Sequence, residues 1–350
     1  MTCRTFRDIA LKTIANRLLA VFAGLLFSAT LLVGIETCFF YLNSKRPRGG
    51  PIFIGQDGNR IPLHEADEFL GYRNRKNLKV VATLNKPEGL IYQAHYTTDE
   101  YGRRRTPVSK SSQRRNFLLF FGCSFTFGTG VNDHETLPFY VGQLSRTSIP
   151  YNYGLGGGGP HQMLAKLESG DIRKEIKGKA GKLIYVFIFD HIQRAIGSMR
   201  IAASWGSQMP YYTLEGNSLI RKGNFTTGRP LLSVVYSFLI KSQTLKYFKI
   251  NFPLKMNSRH IKLFGKIIEA SRDSFKKQFG TDEFYVAIYP STKFPESLKR
   301  FFDRSHIKYL DYSKWVDFKD ESFRIKVDGH PSPKAHAVLA ERLVKDLGIE

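Results

Sequence analysis

Apolar positions along this chain fall into three textures. The first is a single long run, Leu18 to Ile35, eighteen consecutive residues without a charge. As a helix it spans roughly 27 Å at about 1.5 Å per residue, close to the hydrocarbon thickness of a bilayer. Arg4, Arg7, Lys12 and Arg17 precede it with only Asp8 against them, which predicts a cytoplasmic N-terminus over residues 1–17. Glu36, Phe39, Phe40 and Tyr41 read as the far interface, so residues 18–42 are expected to anchor the chain. A cleaved signal peptide and a buried core helix share this pattern. The run is longer than a signal-peptide core, however, and no clean A-x-A site follows. Lys45, Arg46 and Arg48 make the second flank basic too and pull against the orientation. The expectation is a single pass through an inner membrane, with the larger domain on the extracytoplasmic, periplasmic side.

The second texture is short and alternating. Asn43 to Pro51 is charged and holds Gly and Pro, as linkers do. Lys79 to Leu84 and Leu90 to Thr98 read as strands, and a basic, turn-rich stretch, Asp99 to Arg115, follows. Residues 43–113 are therefore expected to form a linker and a small β-rich segment.

The third texture starts at Asn116. Phe117 to Phe121, Leu183 to Phe189 and Phe284 to Tyr289 are continuous apolar runs, as expected of strands buried on both faces, and Ile149 to Tyr153 is a weaker one. Helical patterns lie near His134 to Leu144 and His161 to Ile176, and a last amphipathic helix covers Pro333 to Leu347. Strands alternating with helices predict an α/β domain with a parallel sheet over residues 114–350. Residues 195–280 interrupt the rhythm and read as an insertion.

Composition changes this picture in two ways. Hydrophobic residues make up 42% and charged residues 24% of 350, which excludes a mainly disordered chain and a multi-span membrane protein. The formal charge of +23 favours polyanionic surroundings such as anionic lipid or acidic glycan. Within it, Lys241 to Lys277 carries ten basic residues against Glu269 and Asp273. Nucleic acid is not expected as a partner for a domain held beyond the membrane. The three cysteines, Cys3, Cys38 and Cys123, leave the main domain no internal disulfide and supply no C-x-x-C pair.

Candidate chemistry gathers at the predicted strand ends, where open α/β sheets bind their ligands. The first run leads into Gly122-Cys123-Ser124. A serine on the tight turn after a buried strand exposes its hydroxyl beside the amides of the next helix, although a serine there is also a common helix cap. The second leads into Gly154-Leu155-Gly156-Gly157-Gly158-Gly159-Pro160, a loop whose backbone can approach a ligand closely. It is not a phosphate loop, because Pro160 and His161 stand where Gly-Lys-Ser/Thr would be needed. Near the C-terminus, Asp328-Gly329-His330 can set a carboxylate beside an imidazole before a helix. No H-E-x-x-H occurs, and neither a metal nor a cofactor is implied.

Taken together, Gly122-Cys123-Ser124, Asn152 to Gly157 and Asp328-Gly329-His330 resemble the blocks of the SGNH/GDSL hydrolase family in order and spacing over residues 114–350. The resemblance implies a three-layer α/β/α sandwich with a parallel, flavodoxin-like sheet. It implies Ser124 as nucleophile, His330 as base, Asp328 as the group that orients His330, and the N–H groups of Ser124 and Gly157 as oxyanion donors. Cys123 replaces the family's Asp beside the nucleophile. The family's third block carries an Asn that completes the oxyanion hole, whereas this chain has Asp190-His191. An ionised Asp190 would repel an oxyanion, so His191 is the better donor candidate, and Asp190, which can donate only when protonated, is the alternative. The implied function is serine-dependent ester hydrolysis outside the cytoplasm through an acyl-enzyme, on an ester or an acylated glycan or lipid. O-acyl transfer to a cell-surface glycan at the same site, and a non-catalytic binding protein for anionic lipid or polysaccharide, are the alternatives.

Overall fold

A computed structural model of the protein describes residues 3–45, 49–109, 114–170 and 172–349. Two compact units emerge, one from Met1–Arg48 with Ser237–Asn251, the other from Gly49–Tyr236 with Phe252–Glu350. In the first unit, helix α1 (Cys3–Ser44) is continuous, and its stretch Leu11–Ser44 is long and apolar enough to cross a bilayer. The linker expected at 43–51 therefore begins later than its composition indicates, and Arg46 and Arg48 lie outside the described residues.

The second unit opens with small antiparallel sheets. Strands β1 (Ile52–Gly55), β4 (Lys79–Lys86) and β5 (Gly89–Thr97) form one, and β2 (His64–Asp67) pairs with β3 (Gly71–Asn74) in another. The buried side of the three-stranded sheet closes over Phe127 through Val80, Ala82, Tyr92 and Tyr96. The basic stretch that follows contains Arg104, which is fully buried. Its guanidinium pairs with Asp133 at 2.7 Å and donates to the carbonyls of Phe127, Gly128, Val131 and His95. A buried cation is tolerated only when so fully paired, and this one clamps the turn that follows Ser124.

The main sheet has five parallel strands: β6 (Asn116–Gly122), β7 (Ser148–Gly154), β8 (Ala180–Phe187), β11 (Phe284–Ile288) and β12 (Lys308–Asp311), in the order β12-β11-β8-β6-β7. Side chains alternate between its faces, and both faces are covered. Phe117, Leu119, Phe121, Tyr185 and Phe187 pack under helices α4 (Pro160–Glu168), α5 (Asp190–Ala195), α9 (Ser258–Phe279) and α10 (Glu296–Arg304). Leu118, Phe120, Ile184 and Val186 pack under α3 (Leu137–Leu144) and α11 (Pro333–Leu347). This is the expected three-layer α/β/α arrangement.

Residues 195–280 are not one insertion. Phe264, Ile267, Ile268 and Phe275 of α9 belong to the main core, so α9 is a structural layer whose basic residues face outward. Between α5 and α9 the chain forms α6 (Met199–Ala202), the hairpin of β9 (Pro210–Glu215) and β10 (Ser218–Asn224), then α7 (Pro230–Leu239) and α8 (Gln243–Tyr247). The short helix α2 (Ser124–Phe127) completes the set.

Candidate active site

Strand β6 ends at Gly122, and Cys123 serves as the N-cap of α2 with an extended backbone. Ser124 is thereby the first helical residue, and first-turn amides have no partner within a helix. The turn behind it is tightly tied. Asn152 on β7 donates to the carbonyl of Thr126 at 3.0 Å. A Cβ at Gly154 would meet the Phe127 nitrogen at 2.2 Å, so only glycine lets α2 lie this close to β7.

The segment before α11 brings in the other two groups. Ile325 donates to the His330 carbonyl at 2.8 Å, and Gly329, with positive φ, donates to Ile325 at 2.8 Å. Ser332 then caps α11 with Pro333 in its first turn. In this frame His330 Nε2 lies 2.9 Å from Ser124 Oγ, and His330 Nδ1 lies 2.5 Å from Asp328 Oδ2. The imidazole is 24% and the carboxylate 14% exposed, so the pair is largely shielded yet open to a substrate. The Phe125 ring stands edge-on to His330 at 5.7 Å. Chemically, the arrangement gives Nδ1–H to the carboxylate and leaves Nε2 free to accept the serine proton.

The glycine loop lies beside these groups in the second unit. Gly157 has φ +74, and a Cβ there would fall 2.7 Å from Trp205 Nε1. Gly156 accepts from Tyr72 Oη at 2.7 Å, and Gly158 accepts from Arg194 at 2.7 Å. Arg194 is half-buried beside Cys123. Burial pulls its pKa down, but the Cys123 sulfur and the Asp190 carboxylate more than reverse this, so its charge is held. Arg194 and Tyr72 thus fix the loop through its carbonyls. An open cleft lined by His64, Tyr72, Gly156, Gly157 and Trp205 continues along the outer side of the loop. Trp205 is 53% exposed there. The sequence pointed to neither Tyr72 nor Trp205. One of only two tryptophans in a turn-rich stretch was the available signal.

The expectation that His191 supplies the third oxyanion donor is corrected. Strand β8 stops at Phe187 and the chain is already helical at Asp190, so consecutive side chains diverge. Asp190 is exposed and lines the same cleft as Phe125 and Gly329. His191 turns inward, fully buried, with Nδ1 2.7 Å from Tyr185 Oη and its ring against Phe187. Burial drives its pKa well below 6.5. Asp190→Asn should raise kcat by about tenfold, because it removes a charge and adds a donor, a group type worth about a hundredfold when well aimed. His191→Ala should lower the melting temperature with little change in kcat. Steady-state kinetics and thermal melts of both variants decide this. A hundredfold fall in kcat for His191→Ala with an unchanged melt would restore the earlier assignment.

Buried imidazoles have a wider consequence. Burial, the leading cause in each case, lowers His161 and His336 to about 3. Unfolded, each takes its proton near pH 6.5. Between these values the unfolded chain binds protons that the native chain refuses, so stability falls as pH drops from about 6.5 towards 3. Above that window these groups contribute no slope. The melting temperature should therefore be level from pH 7 to 8.5 and fall steeply below pH 6. A level profile down to pH 4 would show that these rings find water or a counter-charge.

Among the described residues, no three His, Cys, Asp or Glu side chains converge so as to hold a metal ion. No family model matches the sequence, and no curated protein matches it. Among solved structures, the chain is similar to a lipolytic protein of the G-D-S-L family from Desulfitobacterium hafniense, at 16% identity and TM-score 0.37, over 65% of this chain and 98% of that one. It is also similar to a member of the lipolytic protein G-D-S-L family from Veillonella parvula, at 11% identity and TM-score 0.38, over 66% and 97%. A gut microbial diltiazem-metabolizing enzyme is similar at 13% identity and TM-score 0.34, over 70% of this chain and 49% of that chain.

Proposed function

We propose that the protein is a membrane-anchored serine ester hydrolase whose catalytic domain works outside the cytoplasm. The observation that carries this reading is the unbroken chain from Ser124 Oγ through His330 to Asp328 at 2.9 and 2.5 Å. Ser124 attacks the ester carbonyl while His330 Nε2 takes its proton. Asp328 holds the ring in the tautomer that this requires and balances the imidazolium. The tetrahedral oxyanion is met by the amides of Ser124 and Gly157. His330 then returns the proton to the leaving alkoxide, and water repeats the sequence on the acyl-enzyme. Anchoring rests on α1, and the outward side on the basic residues that precede it.

O-acyl transfer is a second reading, with one observation in its favour. The cleft beyond Gly157 presents the Trp205 and Tyr72 rings, surfaces of the kind on which a sugar ring stacks. A sugar hydroxyl there would replace water in the second half-reaction. The intact triad weighs against a purely binding role, since a decayed site has no reason to keep three groups in register. The discriminating experiment is a series of p-nitrophenyl esters of increasing acyl length, with and without added oligosaccharide. Hydrolysis of at least one ester, unaffected by sugar, supports the hydrolase. Release that depends on the sugar supports transfer, and no release under either condition supports binding.

A further inference from the structure

Helix α7 reads Pro230-Leu-Leu-Ser-Val-Val-Tyr-Ser-Phe-Leu239 and carries no charge. Its residues Leu231, Val234, Val235 and Phe238 are 84, 55, 50 and 67% exposed. They stand at i, i+3, i+4 and i+7, so they form one apolar stripe facing outward. Tyr236, on the opposite side, is buried. A stripe of this kind on a water-soluble surface marks a contact that the chain alone does not make.

The chain beyond α7 says what that contact is. Three residues after Leu239, Ser242 Oγ donates to the Glu36 carboxylate at 2.6 Å, and the Gln243 amide does so at 2.6 Å. Glu36 thus caps α8 from within α1. Asn43 donates to the Gln243 carbonyl at 2.9 Å, and Phe39 packs on Tyr247 and Phe248. Residues 242–248 are therefore seated on the end of α1 where it leaves the bilayer. From Arg229 to Asn257 the chain has no acidic residue, while Lys241, Lys246, Lys249 and Lys255 are exposed among exposed Phe248 and Leu254. Apolar stripe, aromatics and lysines together are the composition of a helix lying in a membrane interface.

We propose that α7 and the lysine-bearing segment after it form a second, non-spanning contact with the bilayer, in which the stripe enters the acyl boundary and the lysines meet anionic phospholipid headgroups. The inference rests on the reading of α1 as a membrane span. A helix of ten residues reaches only about 15 Å, and its last residue is followed within three residues by Ser242, which is bonded to Glu36 of α1, so the chain keeps the stripe within reach of the interface. Anionic headgroups attract juxtamembrane lysines and the attraction is screened by salt.

The test uses the full chain in vesicles containing phosphatidylglycerol. An environment-sensitive fluorophore is placed singly at Leu231→Cys, Leu26→Cys or Arg300→Cys, with Cys3 and Cys38 changed to Ser. The expected result is at least twofold quenching of the Leu231 probe by a shallow spin-labelled lipid, quenching of the Leu26 probe by a deep one, and none at Arg300. Lys241→Glu/Lys246→Glu/Lys249→Glu, or phosphatidylcholine alone, should at least halve the Leu231 quenching. Quenching at Leu26 without quenching at Leu231 overturns the inference and leaves the anchor standing. A blue shift at Leu231 without lipid quenching assigns the stripe to a protein contact and also overturns it. No quenching at Leu26 overturns the anchor and the inference together.

Discussion

Ser124→Ala is expected to reduce ester turnover about ten-thousandfold or more, with substrate binding little changed. In the proposed mechanism the hydroxyl forms the covalent intermediate, so its loss removes a whole route rather than one contribution to it. Residues that act as one unit show this non-additivity, and what survives comes from the oxyanion donors and binding. The substitution is conservative for the fold. The Ser124 side chain does not tie down the turn; the side chains of Asn152 and Arg104 do, and Gly154 leaves room for it. An unchanged melt alongside lost turnover is therefore the predicted pair. A variant that retains a tenth of the rate would place the nucleophile elsewhere.

His330→Ala is expected to lower turnover at least about a hundredfold, the usual scale for a positioned general base. Asp328→Asn should follow it part of the way, since it leaves a partner for Nδ1 but not a negative one. His336 supplies the control. It lies on α11, fully buried and lowered to about 3 by burial, so it stays neutral and out of reach of substrate. His336→Ala should cost stability by leaving a cavity while the folded fraction keeps most of its rate. Equal losses of rate in both variants, after correction for folded fraction, would remove His330 as the base.

Much of the architecture was legible because its signals are unambiguous. Phe117 to Phe121 is apolar at every position because both of its faces are covered, and the Pro333 to Leu347 helix begins with a Ser-Pro cap and ends at a glycine. The two segments that bring Ser124, His330 and Asp328 together were legible for a related reason: one is a strand end and the other a helix start, where polar residues interrupt an apolar pattern. What escaped was decided by orientation. The apolar stripe of α9 was hidden beneath its many lysines. Strand β12, Lys308–Asp311, is too short and polar to announce itself. Whether Asp190 or His191 faces the site depended on the residue at which β8 gives way to helix, which no periodicity fixes to one residue. Arg104 reads as a surface charge until the fold surrounds it with carbonyls, and Arg194 until the fold sets it against the Gly158 carbonyl. The return of residues 242–248 to α1 is a long-range contact with no local signature.

The central claim is that Ser124 is an activated nucleophile. Incubating the purified full-length protein in detergent with a fluorophosphonate and mapping the adduct by peptide mass spectrometry tests it most directly. The expected result is one phosphonyl group per chain, carried by the peptide containing Ser124, formed slowly in His330→Ala and not at all in Ser124→Ala. A folded protein that takes up no label, or one whose label persists in Ser124→Ala, would contradict it.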